Sequence, residues 1–269
     1  MIEFSVLMSL YIKENPLYLE SCLESLSRQT LQPNEIVMVL DGPISQELND
    51  VLLRWNNLLP LKIYPITNNV GLGKALNYGL EKCAYNIIAR MDTDDICHCK
   101  RFEWQISEFV NEPKLVLLGG AISEFEDNVE NITGTRKVPQ GHKDILLSAR
   151  MRNPFNHMTV MYKRNVIQEV GGYIHHHFME DYNLWLRVLS GDHLTKNLSE
   201  TLVYARVGNA MLSRRRGMHY IKSEYQLAIL KYQLGFTGRS QTIYIFLARC
   251  LPRIIPFFII KRIYKFLRK

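Results

Sequence analysis

Over the first ninety residues, short apolar runs rich in Val and Ile alternate with stretches whose apolar positions recur every three or four residues. "EFSVLMSL" (3–10), "EIVMVL" (35–40), "LKIYPI" (61–66) and "NIIARM" (86–91) read as strands. Between the first two, Asn15-Pro16 supplies a capping residue and a proline at the first helical position, and Leu19, Cys22, Leu23 and Leu26 follow at helical spacing. Asp41-Gly42-Pro43 is a turn signal, and the polar stretch after it reads as a helix to about Asn57. "NNVGLGKALNYGLEKC" (68–83) reads as a glycine-containing loop entering a helix with Ala75, Leu76, Gly79 and Leu80 on one side. Repeated strand-helix alternation predicts an α/β fold with a doubly wound, mostly parallel sheet.

Further along, "LVLLGG" (115–120) and "MTVMY" (158–162) read as strands, and "FMEDYNLWLRVLSG" (178–191) as a helix stopped by Gly191. No internal repeat or low-complexity linker interrupts the pattern. The chain is expected to divide into residues 1–210, with halves of about 1–100 and 101–210, and a helical extension, 211–269. In that extension "IYIFLARCLPRIIPFFIIKRIYKFLRK" is broken by Arg249, Pro252, Arg253 and Pro256, so it falls short of the ~20 uninterrupted apolar residues of a spanning helix.

Composition adds little until charge is mapped along the chain. At 269 residues with 47% hydrophobic and 22% charged positions, a substantial core is expected and wholesale disorder is excluded. The net charge of +7 belongs to the extension, where 13 Lys and Arg face the single acid Glu224. Five cysteines, an odd count without repeating spacing, and a start lacking a basic leader suggest a reduced, cytoplasmic protein. Cys97-His98-Cys99 has no second Cys/His pair at zinc-site spacing, so free thiols are expected.

The candidate chemistry begins where the fourth strand ends, at Asp92-Thr93-Asp94-Asp95. In an open parallel sheet, ligands bind outside the carboxyl ends of the strands. If the chain stays extended, Asp92 and Asp94 share a face, because strand side chains repeat every two residues. Two carboxylates there suit a hard divalent cation such as Mg2+, which takes one or two protein carboxylates and completes its shell with water and phosphates. A solvated acidic turn is the plain alternative. A calcium loop is not, since Ile96 and Cys97 stand where an oxygen ligand and a glycine are needed. Glu180 and Asp181 open the later helix, where acids also complement a helix dipole. Consecutive His175, His176 and His177 cannot all face one ion without an irregular loop.

The order of several motifs carries a resemblance: "SVLMSLYIKENPLYLESCLESLSRQTLQPNEIVMVLDGP", "NNVGLGKALNYGL", "IARMDTDD", "NPFNHMTVMYKR", "GGY" and "MEDYNLWLRVL". Over most of residues 3–206 the chain resembles a bacterial family-2 glycosyltransferase of the nucleotide-diphosphosugar (GT-A) fold. That resemblance implies that Tyr11 packs on the uracil of a UDP-sugar, Asp41 hydrogen-bonds the base, and Asn69, Gly71 and Lys74 lie near the donor phosphates. It implies that Asp92 and Asp94 are the Asp-x-Asp holding Mn2+ or Mg2+, with Asp94 the direct ligand, and that Asp95 supports them; Arg90, just before them, either steadies the diphosphate or simply pairs with an acid. It makes Asp181, with Glu180 beside it, the general base for the acceptor hydroxyl, and puts His157 and Trp185 on the acceptor side. Trp185 also fits a core position, and His157 a backbone-bonding one. One base, a metal-held leaving group and no separate nucleophile imply single displacement with inversion.

The basic extension, interleaved with Ile, Phe, Leu and Tyr, reads as an anchor on the inner face of the cytoplasmic membrane. Arg214, Arg215 and Arg216 alone would suit nucleic acid, but apolar "IIPFFII" argues against it. An ordinary packed C-terminal helix pair is the third possibility. Resemblance to enzymes of O-antigen and other surface-polysaccharide assembly, β1,3-galactosyltransferases in particular, implies transfer of galactose or glucose to a sugar on undecaprenyl diphosphate. A metal-dependent nucleotidyl- or phosphotransferase and a non-catalytic membrane scaffold are the competing classes.

Overall fold

The computed structural model describes residues 2–208 and 218–254, with side chains to Leu251. In order, the elements are β1 (Phe4–Leu10), α1 (Pro16–Ser27), β2 (Glu35–Asp41), α2 (Gln46–Trp55), β3 (Leu61–Ile66), α3 (Leu72–Lys82), β4 (Ile87–Arg90), β5 (Ile96–Cys97) and α4 (Arg101–Asn111). There follow β6 (Leu115–Phe125), β7 (Ile132–Arg136), α5 (His142–Ala149), β8 (Met161–Lys163), α6 (Arg164–Glu169), α7 (Glu180–Leu189), β9 (Leu194–Arg206), α8 (Met218–Gln233) and α9 (Arg239–Ile254). The strands form one sheet in the order β3-β2-β1-β4-β8-β6-β9-β5, with β7 paired to β6.

The first four strands by chain order lie side by side and parallel, as their apolar runs predict. Strand β8 runs antiparallel between β4 and β6, after which β9 returns parallel to β6. The sheet is therefore mostly parallel, with β5, β7 and β8 reversed. Since strand side chains alternate faces, Phe4, Val6, Met8 and Leu10 pack with α1, α2 and α4, while Leu7 packs with α3. Asn15 accepts the Leu17 N–H at 2.9 Å and Pro16 opens α1, so the start signal works as read.

One expectation is corrected here. "MTVMY" does not run as one strand: residues 157–159 form a 3-10 turn closed by Thr159, whose hydroxyl bonds back to Asn156 O at 2.8 Å, and only β8 is extended. The described part of the extension packs on the rest of the chain, as the helix-pair alternative has it. Tyr220, Leu227 and Phe236 join the core that contains α3 and α7, and α8 packs on both α7 and α9. Arg214 to Arg216 and residues 255–269, which carry much of the expected anchor, lie outside the described residues.

The topology sets the position of the site. Strand β1 has β2 on one side and β4 on the other, so the connections leaving β1 and β2 diverge at their carboxyl ends. Such a switch point opens a crevice. Tyr11 follows β1, Asp41 ends β2, and Arg90 ends β4.

Candidate active site

Just past β4, burial alternates in the expected two-residue rhythm: Asp92 and Asp94 are half-buried, Thr93 and Asp95 buried. Asp92, Asp94 and Asp95 each bring a carboxylate oxygen within 4.8 Å of the others. Arg90, 2% exposed, ion-pairs with Asp92. The Asp95 carboxylate accepts the Arg206 backbone N–H at 2.8 Å, which turns it inward. Thr93 is held by its hydroxyl, which donates to Glu14 at 2.7 Å.

Burial, then the charges of Asp92 and Glu14, push Asp94 up to about 7. Asp95 is raised by burial and then by Asp92 and Asp94. Crowded carboxylates with hard oxygen donors fit a Mg2+ or Mn2+ ion, whose charge would relieve their repulsion. Asp92 and Asp94, the two half-buried acids, are the ones that would hold it, and Asp95 is the buried member of the three.

Opposite this group, the 69–71 loop is built on Asp41. Its carboxylate accepts the Val70 and Gly71 backbone N–H groups at 2.7 and 3.0 Å and Asn69 Nδ2 at 3.0 Å. Asp41 was expected to bond a base. It is 4% exposed, and both of its oxygens accept from the 69–71 loop, so it shapes the crevice wall. Two glycines make the turn possible. Gly42 (φ +86°) leaves no room for a Cβ, which would stand 2.8 Å from Asn69 N, and Gly71 (φ +88°) turns the chain into α3. Tyr11 is exposed at the end of β1.

Lys74 is not brought to this group: it lines a shallow depression with Pro65, Thr67, Val70 and Tyr78. Its neighbour Gly73 is the residue that faces the site. A Cβ there would meet Glu180 Cγ at 3.4 Å, so α3 and α7 approach each other at their N-termini.

That approach separates the two acids of α7. Glu180 lies against Gly73, with His175 Nδ1 at 3.9 Å. Asp181 lines a cavity of about 530 Å3, together with Asn153, Met158 and Arg136. Its Oδ2 accepts Asn153 Nδ2 at 2.6 Å and its Oδ1 the Tyr182 N–H at 2.7 Å. Burial raises both acids, and for Asp181 these hydrogen bonds and the charges of Arg90 and Arg136 oppose the rise. His157 Nε2 bonds the Tyr173 hydroxyl at 2.9 Å, and burial followed by the Arg90 charge drives the imidazole well below its ordinary value. Neutral His157 is thus fixed beside Tyr173.

Trp185 takes the core position that its spacing allowed. It is fully buried, edge-on to Phe155 at 5.9 Å and to His157 at 6.1 Å, so it supports the acceptor side from within the core and stacks on no ligand. The histidine run divides as chain geometry demands. His176 is buried, with Nδ1 bonded to Asn183 Nδ2 at 3.1 Å and Nε2 donating to Ser223 O at 2.8 Å, while His175 and His177 are exposed.

Three positions missed in the sequence complete the site. Asn153 orients Asp181, Tyr173 orients His157, and Arg206 ties β9 to the acidic turn. The first two fall inside the "NPFNH" and "GGY" motifs, which is a usable signal. Arg206, at the end of a strand with mixed patterning, had none.

The acidic turn lies at the carboxyl end of β4, beside the switch point of a mostly parallel sheet, and Asp181 lines a separate cavity. Residues 5–179 match the family described as Glycosyl transferase family 2. The chain belongs to that family and is a bacterial-type polysaccharide glycosyltransferase. It is 49% identical over 266 residues to the amylovoran biosynthesis glycosyltransferase AmsE of Erwinia amylovora, covering 99% of each chain. It is 34% identical over 254 residues to an Escherichia coli UDP-Gal:alpha-D-GlcNAc-diphosphoundecaprenol beta-1,3-galactosyltransferase, covering 94% of this chain and 92% of that one. Among solved structures, S. aureus TarS 1-349 in complex with UDP-GlcNAc superposes with a TM-score of 0.67 at 19% identity, over 93% of this chain and 73% of that one, which establishes the GT-A fold.

Proposed function

We propose that the chain is an inverting, metal-assisted hexosyltransferase. It moves galactose or glucose from a UDP-sugar to a sugar carried on undecaprenyl diphosphate, at the inner face of the cytoplasmic membrane. The observation that supports this reading is the position of buried Arg90 between two carboxylate groups: it ion-pairs with Asp92 at the end of β4 and lies near enough to Asp181 at the start of α7 to lower its carboxyl. The relative that names UDP-Gal and a diphosphoundecaprenol acceptor supports the choice of substrates.

Asp181 takes the proton of the acceptor hydroxyl. Its oxygen then attacks the anomeric carbon from the side opposite UDP, and the bond from that carbon to the phosphate oxygen breaks. An α-linked donor therefore gives a β-linked product. Asn153 and the Tyr182 N–H fix the Asp181 carboxylate, and proximity of base and hydroxyl is the requirement that such a hydrogen-bond pair meets. A divalent cation held by Asp94 and Asp92 would supply Lewis-acid neutralisation of the departing diphosphate. Arg90 Nε and Nη1 are buried with no hydrogen-bond partner among the described residues, and its Nη2 pairs with Asp92, so its charge supports the acids from behind.

The test is to offer purified protein a panel of UDP-sugars with Mn2+ and an N-acetylhexosaminyl-diphosphate lipid. UDP and a β-linked disaccharide lipid are expected. Release of sugar phosphate or pyrophosphate would instead favour a nucleotidyl- or phosphotransferase.

Membrane association rests on α9. Its Arg249, Ile245 and Cys250 turn toward the protein, and Ile243, Tyr244, Leu247 and Leu251 form an exposed apolar stripe on the opposite face. No helix among the described residues is long and apolar enough to cross a membrane. Glu224, the one acid of residues 211–269, is buried, so the described part of the extension presents no carboxylate to an anionic surface. Cutting the chain at residue 240 would strip Glu224 of its Arg249 partner, so surface substitutions are the cleaner test. I243E and L247E together are expected to abolish flotation with anionic liposomes while leaving UDP binding unchanged. Unchanged flotation would remove the role from this face.

A further inference from the structure

The cavity beside Asp181 is lined by four arginines from four separate elements: Arg136 of β7, Arg152 after α5, Arg206 of β9 and Arg249 of α9. Only two carboxylates, Glu124 and Asp181, line it with them. None of the donor-side residues Tyr11, Asn69, Asp92 or Asp94 is in that lining. We infer that this arginine-lined cavity holds the diphosphate of the acceptor, next to the hydroxyl-activating carboxylate. The inference rests on the glycosyl-transfer reading above and names the residues that would select its acceptor.

The guanidinium groups are held in different ways. Arg206 lies over Tyr18 at 3.8 Å and Phe125 at 4.6 Å and donates to the Asp94, Glu126 and Asp127 carbonyls at 3.3, 3.1 and 3.4 Å. Those partners are neutral, so its charge is uncompensated by them. Arg249 grips Glu224 through Nε and Nη2 at 2.7 and 2.8 Å and donates Nη1 to Met151 O at 2.7 Å. It is the structural member of the set. Arg152 is the least committed, with one hydrogen bond among the described residues, Nε to Ser148 Oγ at 3.4 Å. Arg136 is near enough to Asp181 to lower its carboxyl.

Residues 150–153 connect these parts in a single strap. Lys231 Nζ holds Arg150 O at 3.0 Å, Arg249 holds Met151 O, Arg152 enters the cavity, and Asn153 holds Asp181. The helix pair that carries the apolar stripe thus walls the cavity and, through this strap, sets the base. An acceptor sugar on a lipid diphosphate presents a hydroxyl, then two phosphates, then an apolar chain. Asp181, the arginines and the outward face of α9 offer the complementary groups.

A volume of about 530 Å3 is ample for a hexose and diphosphate, lying within the ordinary range of small-ligand sites. Guanidinium groups suit the ligand because their fork of donors matches phosphate oxygens bidentately, which a lysine ammonium does not. The phosphate of an anionic membrane lipid shares this chemistry. The arms of the test separate the two sources.

Decyl diphosphate is the binding probe, titrated by calorimetry into the full-length protein saturated with UDP and Mn2+. Wild type is expected to bind it, and R152A and R136A to lose at least tenfold in affinity, with UDP affinity unchanged and R152K recovering part of the loss. In turnover, the same variants are expected to raise KM at least tenfold for an N-acetylglucosaminyl decyl diphosphate, yet less than twofold for decyl N-acetylglucosaminide, which lacks the phosphates. Equal effects on both acceptors, or no binding of decyl diphosphate to wild type, would overturn the proposal. So would R152A losing flotation with anionic vesicles while its diphosphate affinity stays intact, since the cavity would then serve a lipid headgroup. Decyl diphosphate binding without any sugar transfer by wild type would leave this site standing and sink the transferase reading instead.

Discussion

The two halves of the crevice handle charge in opposite ways. On the donor side three carboxylates crowd within 4.8 Å, with Arg90 ion-paired to Asp92. On the acceptor side four arginines line a cavity around Glu124 and Asp181. Each half meets a diphosphate under the reading above, yet only one surrounds it with protein cations. On that reading the donor half binds through an ion it recruits, whereas the acceptor half carries its own positive charge. A donor diphosphate is broken off during the reaction, and a metal can leave with it. The acceptor diphosphate stays bonded to its sugar and needs only to be held.

The comparison is tested most severely at the donor acids. D94N removes the proposed metal ligand and is expected to lower kcat roughly a thousandfold, about 4 kcal/mol of transition-state stabilisation, with the melting temperature preserved. Chelation should reproduce this loss in wild type while sparing decyl diphosphate binding at the arginine cavity. Loss of both would show that the two halves share one ion, and the contrast would fail.

Next in size is the separation of Glu180 from Asp181. D181N is expected to lose about 10²- to 10⁴-fold in kcat, the range typical of a general base. E180Q, whose side chain turns toward Gly73 and α3, should lose less than about tenfold. Donor KM should stay within twofold for D181N, since Asp181 faces the acceptor cavity. The reverse ranking would move the base to the donor edge of α7 and erase the boundary between the halves.

These two carboxylate groups were legible in the sequence for different reasons. The alternation of Asp92 and Asp94 follows from the pleat alone, because extended chain repeats its faces every two residues. Glu180 and Asp181 were legible as the first turn of a helix, but only contact with α3 distinguishes them. The parallel half of the sheet was readable because each strand is a short Val- and Ile-rich run bounded by turn or cap residues. Strand β9 was not, since "LTKNLSETLVYAR" places polar residues among apolar ones and pairs with β6 through shifted register.

The positions of Lys74 and Trp185 have geometric explanations. Lys74 is one residue past Gly73, and a helix turns about 100° per residue, which carries it off the crevice. Trp185 shares a face with Asp181 by spacing, but a turn deeper into α7 that face is already core. The arginine cavity had no sequence signature at all. Its members lie on elements as far apart as residues 136 and 249, and long-range packing alone assembles them.

The smallest predicted effect lies behind the acceptor wall, where positive charge is buried without benefit of solvent. Lys231 is 2% exposed, with its ammonium 4.6 Å from the Tyr182 ring and hydrogen-bonded to Arg150 O. Burial, then the neighbouring Arg249, brings it down from 10.5 to about 7. Below pH 7 both folded and unfolded chains carry the proton, and folding bears the desolvation of the ammonium. Between pH 7 and 10.5 the unfolded chain holds more protons, so this group's contribution to stability rises with pH, by at most about 1.4 kcal/mol per unit. K231M keeps the length of the side chain and removes the titration. Denaturant unfolding of both proteins at pH 6, 7, 8 and 9 is therefore expected to give curves that diverge, with wild type gaining about 2 kcal/mol on the variant between pH 7 and 9. Parallel curves would mean that Lys231 stays charged throughout, and that the acceptor wall tolerates a further buried cation beside its arginines.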